Sequence, residues 1–535
     1  MPKIKVSQIL FWVLLLFNVG LAVYYLSQKQ GWHVDEQYTY GTANSTEGAY
    51  LGKHVNSFHE DPFDEVHNHW KKGKDFHDYL TVQNNEKFDY KNIKENLKIS
   101  VHPPLYFWLL HTICSLTPDV FSKWQAGSIN IVAFLLLLLM FYKLSKLFIN
   151  DEYMAMVPVF LWGFSEVGLA TVLFLRMYTL QTLFTVCLLY EVSKMLIENK
   201  ADKKRLFLIF LYATLGNLTQ FSSLVFAFIL TAVSDTVLLW RKNWKMLVLF
   251  SAMMLLSVAA LVALFPETLS ILLYSKDGAE IHARFSGVKW LHLLFYFLYG
   301  NQSVFGVYAY YLFHVESKYF ILVLLALALM IIYQKEKKTS SAFGVLIAVI
   351  ILLTFYLAIF MPKNNMGGVR YYMLLMPVAA LLTVSLVEKL LKALKFSSQL
   401  TAGICFVLVF ILSVNVCWKK CPYSVSLTEE TLALTEKLKN KNIMVRSQNR
   451  PFNDAIHIYT KAKKVYLADT ETNAPIEQAL SEADYVLVFN NYPFDKSFFA
   501  AVKVRPLESA MVNRVQYVSP FRVGIVNFDL YEVIK

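Results

Sequence analysis

The chain has 535 residues, 56% of them hydrophobic and 17% charged, with a mean hydropathy of +0.42 and a net charge of +12. Soluble domains run nearer about 45–50% apolar and about 25% charged, so this composition excludes a soluble globular protein. The positive charge does not mark a nucleic-acid partner, because the lysines collect in short runs between apolar segments. That pattern orients a polytopic membrane protein.

The first apolar stretch, about 8–27, follows Lys3 and Lys5 and ends at Tyr24-Tyr25. It reads as a retained first span with a cytoplasmic N-terminus and an interfacial aromatic anchor. A long hydrophilic loop, 28–102, opens with WHVDEQYTY. Next comes 103–117, apolar but short and led by two prolines, which reads as an interfacial or re-entrant helix.

Further spans are predicted near 125–148, 153–169, 177–197, 206–220, 222–239, 246–264, 317–333, 342–361, 370–388 and 399–417. A tyrosine-rich stretch, 287–312, reads as a second interfacial element. Basic clusters such as Lys203/Lys204/Arg205, Arg241/Lys242/Lys245 and Lys389/Lys392/Lys395 fall where an alternating path returns to the cytoplasm. The path gives about eleven spans, N-terminus in and C-terminus out.

Residues 418–535 turn polar. IMVRS (443–447), KVYLAD (464–469), DYVLVFN (484–490) and FDLYEVI (528–534) read as strands, with helices at 427–440 and 475–482. The fold class is therefore a polytopic α-helical membrane region, 1–417, followed by a small extracytoplasmic α/β domain, 418–535. Cys114, Cys187 and Cys405 lie in apolar segments and read as small hydrophobes; Cys417 and Cys421 are awkwardly spaced for a disulfide.

Several residues carry potential chemistry. Asp35-Glu36, just beyond the first span, offers a carboxylate that can take a proton from a hydroxyl in a partly desolvated cleft. In His102-Pro103-Pro104 the prolines fix the backbone, and His102 can donate to a phosphate oxygen or ligate a metal. Arg176, with Tyr178, and Arg370, with Tyr371, each interrupt apolar sequence at the outer end of a span, where guanidinium suits a phosphate. Gln220 is a candidate cavity-lining residue. The stretch HEDPFDEVHNHW (59–70) offers His59, Asp61 and His67 as ligands for a possible divalent metal ion, although its spacing fits a solvated surface as well.

The motifs DEQYT (35–39), HPPLYFWLLH (102–111), RMYTL (176–180) and RYYMLLMP (370–377) occur in an order that resembles the GT-C superfamily of membrane glycosyltransferases. The likeness is to the bacterial relatives of protein O-mannosyltransferases and aminoarabinose transferases, over roughly residues 1–400. It implies a polyprenyl-phosphate sugar as donor and an extracytoplasmic glycan, lipid or protein hydroxyl as acceptor, at the outer face of the cell membrane. It makes Asp35, with Glu36 beside it, the catalytic base or acceptor-positioning group, and puts His102 near the lipid phosphate. Several relatives carry lysine at that last place. The competing class is a transporter or flippase of a lipid-linked substrate, and a non-catalytic sensor with an outer domain is a third. No acceptor-specific module is matched in 418–535, which is expected to select or position the acceptor while the membrane core handles the donor.

Overall fold

The computed structural model describes residues 5–45, 68–98, 102–274, 308, 312, 337–360, 369–418, 429–446, 456–468, 476–489, 502–507, 510–512 and 526–535. The predicted elements at 287–312 (Tyr308 and Leu312 apart) and 317–333 lie outside the described residues, as do His59, Asp61 and His67. Two compact units emerge: Met1–Tyr25 with Gly127–Cys421, and Leu26–Ala126 with Pro422–Lys535.

The first unit is helical. Among the described residues of the whole chain, seven helices are long and apolar enough to cross a bilayer, from Val6–Gln28 to Arg370–Ala393. Within the unit their burial differs. Tyr178–Glu198 is 78% buried and so runs through the interior, whereas Trp244–Leu264 is only 22% buried and turns its apolar surface outward, as lipid contact requires. Polar side chains join the interior helices. Gln181 Nε2 donates to Ser222 Oγ at 2.7 Å and to Ser223 Oγ at 3.1 Å, satisfying groups that hydrocarbon would leave unpaired.

The expected span 153–169 is interrupted. It consists of Met154–Gly163 and Glu166–Leu173, bent by 56°. Ser165 causes the break by capping the second helix, its Oγ accepting from Gly168 N–H at 3.1 Å. Gly168 is required there, since a Cβ would lie 2.1 Å from Trp162 O. Hydropathy reads such a broken pair as continuous because both halves are predominantly apolar, Glu166 and Thr171 being the polar exceptions within the two helices.

The second unit holds a seven-stranded mixed sheet: β1 (Trp70–Lys72), β2 (Asn442–Arg446), β3 (Lys464–Ala468), β4 (Tyr485–Phe489), β5 (Lys503–Pro506), β6 (Ala510–Val512) and β7 (Val526–Ile534). The order is β1-β3-β2-β4-β7-β5, with β6 also on β7. β3, β2 and β4 are parallel, and β7 runs antiparallel to β4. Met444, Tyr466, Val486 and Val488 bury against Leu480 of helix Ile476–Glu482. The edge strand β1 comes from the first loop, pairing Trp70 with Tyr466 and Lys72 with Lys464.

The short helix between β2 and β3, Ile456–Tyr459, carries His457 with Nε2 sealed from solvent and without a partner among the described residues. Burial, reinforced by the nearby Lys461 charge, lowers its pKa from 6.5 to about 4. The folded state therefore resists a proton that the unfolded chain accepts, and stability present above pH 6.5 is lost as pH falls toward 4. The full loss is roughly 3 kcal/mol. Amide protection in β2 and β3, corrected for intrinsic exchange, should fall between pH 7 and pH 5, and His457→Gln should flatten that slope; an equal slope in the variant would rule out His457 as its source.

Candidate active site

The acidic pair lies on helix Val34–Asn44, in the second unit. His33 is the cap: its Nδ1 accepts from Asp35 N–H at 3.0 Å, while His33 N–H donates to Glu36 Oε2 at 2.8 Å. This reciprocal capping box has histidine where serine or threonine is usual. The other Glu36 oxygen, Oε1, meets Lys29 Nζ at 3.0 Å, and both side chains are sealed from solvent. Glu36, expected as a second catalytic carboxylate, thus has both oxygens engaged in holding the helix start. Removing one partner of such a buried pair leaves an uncompensated charge.

Asp35 differs from its neighbour. Its side chain is 18% exposed, and its Oδ2 stands 3.8 Å from His33 Nδ1. That nitrogen already accepts the Asp35 amide, so the proton of a neutral ring sits on Nε2 and the 3.8 Å approach is not an ion pair. Asp35 lies in the first helical turn, at the positive end of the helix dipole.

The helix is also held further along its length. Tyr40, fully buried, donates to Ser122 O at 2.7 Å and accepts from Ala126 N–H at 3.0 Å. Trp32 stacks on Phe121 at 4.0 Å and meets Tyr40 edge-on. The last carbonyls of a helix have no partner within it. Here Asn96 Nδ2 donates to Thr42 O and Ser45 O at 3.0 and 2.7 Å, and His111 Nδ1 pairs with Ala43 O at 2.8 Å. Burial pushes the His111 pKa down, so the ring stays neutral with its proton on Nδ1.

His111 belongs to helix Leu105–Leu116, the one led by His102-Pro103-Pro104, so one hydrogen bond couples the two motifs. The helix has 12 residues, too few to span a bilayer. His102 precedes it, its ring stacked 6.3 Å from Phe107.

In the other unit, Arg176 sits in the break between Glu166–Leu173 and Tyr178–Glu198, and only 5% of it is exposed. Asn130 holds the break open by donating to Val172 O and Phe174 O at 2.9 and 3.0 Å. The guanidinium lies 5.9 Å from the Phe174 ring centroid, and Phe174 stacks on Tyr178 at 5.5 Å. Arg370 opens onto Tyr371, 5.2 Å from its ring, with Nη2 donating to the phenol at 3.4 Å. The turn after it, Met373–Leu375, packs against both helices that flank Arg176. Gln220 is the extended joint between Lys203–Thr219 and Phe221–Trp240, and its Oε1 accepts from Phe221 N–H at 3.2 Å.

Sequence reasoning missed Lys29, His33, Asn96, His111 and Asn130. The cap spacing His33-x-x-Glu36 was the available signal; the asparagines gave none, because their partners are remote in sequence. Among the described residues no three histidine, cysteine or carboxylate side chains cluster as metal ligands.

Residues 101–268 match the family model described as dolichyl-phosphate-mannose-protein mannosyltransferase. No curated protein sequence matches the chain. Among solved structures, the apo oligosaccharyltransferase of Archaeoglobus fulgidus aligns with a TM-score of 0.51 at 13% identity, over 91% of this chain and 70% of that one. The same enzyme in complex with zinc and sulfate gives 0.45 at 13% identity, over 73% and 60%, so this chain spans less than two thirds of it in that alignment. ArnT from Cupriavidus metallidurans, bound to undecaprenyl phosphate, gives 0.49 at 11% identity, over 97% of each chain. Over residues 101–268 the chain is thus similar to the dolichyl-phosphate-mannose-protein mannosyltransferase family, and the fold of this multi-pass membrane chain is similar to that of the apo oligosaccharyltransferase.

Proposed function

We propose that the chain is an inverting glycosyltransferase that moves a sugar from a polyprenyl-phosphate donor to an extracytoplasmic hydroxyl. The observation that carries this reading is the division of labour within the acidic pair. Glu36 is buried in an ion pair and a cap, while Asp35, one residue away, keeps an accessible carboxylate on a helix held at both ends. The donor class is supported by the family model that covers His102, Arg176 and Gln220, whose description names dolichyl-phosphate-mannose, a polyprenyl-phosphate sugar. Sugar nucleotides are not available outside the cell, so the donor reaches the enzyme through the bilayer.

In this mechanism the acceptor oxygen attacks the anomeric carbon from the face opposite the phosphate, and its proton passes to Asp35. The new carbon–oxygen bond forms as the bond to the phosphate oxygen breaks, which inverts the configuration. The departing lipid phosphate carries the developing charge. Arg176 and Arg370 are the proposed cations for it, with His102 as a further donor and Tyr178 and Tyr371 holding the aromatic surfaces beside the arginines. Glu36 is a positioning residue here. A divalent ion on His59, Asp61 and His67 stays an expectation of the sequence, and no step depends on it. Residues 418–535 are the proposed acceptor-selecting region.

A lipid-linked-substrate transporter is the second reading, favoured by the 56° break at Gly163–Ser165, because transporters use discontinuous helices. Two neighbouring substitutions separate chemistry from structure. Asp35→Asn should lower transfer by about 10²–10⁴ while leaving expression and thermal stability unchanged; turnover near that of the parent protein would remove Asp35 as base. Glu36→Gln removes the carboxylate charge buried against Lys29 and should destabilise the second unit by about 3–5 kcal/mol. An unchanged melting profile for that variant would contradict the structural role given to the pair.

A further inference from the structure

Helix Gly73–Leu80 follows β1 directly and approaches its neighbours through glycine at both ends. At its start, Gly73 N–H donates to Lys463 O at 3.2 Å, and a Cβ on Gly73 would fall 2.0 Å from Ala462 O and 2.8 Å from Tyr459 O. Both are backbone atoms and have nowhere to move. One turn later Phe76, fully buried, packs on the Tyr459 ring at 5.5 Å. Near its end, the Tyr79 ring lies over Gly41 of helix Val34–Asn44, where a Cβ would come within 1.8 Å of the ring. Asn44 Nδ2 donates to Leu80 O at 2.8 Å beside it. The same short helix is therefore locked to the C-terminal sheet at one end and to the Asp35 helix at the other. Close-packed contacts of this kind transmit displacement because they cannot compress.

We infer that the C-terminal sheet sets the position of Asp35 through helix Gly73–Leu80, with Gly73 and Tyr79 as positioning residues for the transfer reaction. The inference rests on the reading of Asp35 as the base. It gives residues 422–535 a part in donor chemistry in addition to acceptor choice, so removing them would impair cleavage of the lipid-linked sugar as well as delivery.

The test uses the full-length chain, a synthetic polyprenyl-phosphate mannose and two readouts: kcat and KM for the donor, and amide exchange across residues 34–44. Alanine is a better helix former than glycine, so a loss in Gly41→Ala or Gly73→Ala reports collision and not propensity. Gly73→Ala should raise exchange in 34–44 by about tenfold. It should also lower kcat by about tenfold or more, with KM little changed, because misplacement of a base costs rate. Gly41→Ala should do the same, and Gly41→Ala combined with Tyr79→Ala, which restores space, should recover most of both. The inference is overturned if Gly73→Ala leaves residues 34–44 as protected as in the parent chain, including the case in which the sheet itself unfolds. It is equally overturned if the double variant is no better than Gly41→Ala. Exchange does not depend on turnover, so an active Asp35→Asn would remove the base assignment while the exchange result still decides the coupling.

Discussion

The ion pair between Lys29 and Glu36 is the interaction on which the site depends. Burying an ammonium and a carboxylate costs several kcal/mol for each ion, and the cost is offset only by close geometry and further hydrogen bonds. Here the pair is 3.0 Å long, and the second Glu36 oxygen takes the His33 amide, so the same carboxylate closes the pair and caps the helix. The start of the helix is fixed against the residues that leave the first span. Asp35 inherits that fixed position with a side chain that is 18% exposed, where that of Glu36 is sealed.

The far end of the helix is fixed by different means. Asn96 and His111 take carbonyls that the helix leaves open, and Tyr40 bridges to the start of helix Lys123–Ser145. Because His111 sits on the His102 helix, the DEQYT and HPPLYF motifs belong to one packed group. The membrane unit solves a related problem with breaks instead of caps. At Gly163–Ser165, at Arg176 and at Gln220 the helices are interrupted, and asparagine, serine or glutamine side chains satisfy the backbone that the breaks release. Arg176, a side chain costly to bury in hydrocarbon, lies in one of these interruptions.

Much of this was legible in the sequence wherever the signal was local. Apolar length alone located helices such as Tyr178–Glu198 and Trp244–Leu264 to within a few residues, and alternating or β-branched runs located β2, β3 and β4. The bend at Ser165 was hidden because hydropathy does not register a cap inside an apolar run. Strand β1, three residues with two lysines, has no strand signature of its own and exists because β3 offers an edge almost four hundred residues away in sequence. The two carboxylates of Asp35-Glu36 could not be told apart by spacing. Only burial separates them, and burial is set by Lys29 and by the packing of helices from the far side of the loop.

Transfer itself is the most direct measurement of the central claim. Purified full-length chain in detergent, given a synthetic polyprenyl-phosphate mannose and a hydroxyl acceptor, can be followed by phosphorus and proton NMR. The account requires polyprenyl phosphate to appear in step with a glycoside of inverted anomeric configuration, with no sealed membrane present. A donor that stays intact in detergent and moves only across closed bilayers would contradict it and leave a carrier in its place.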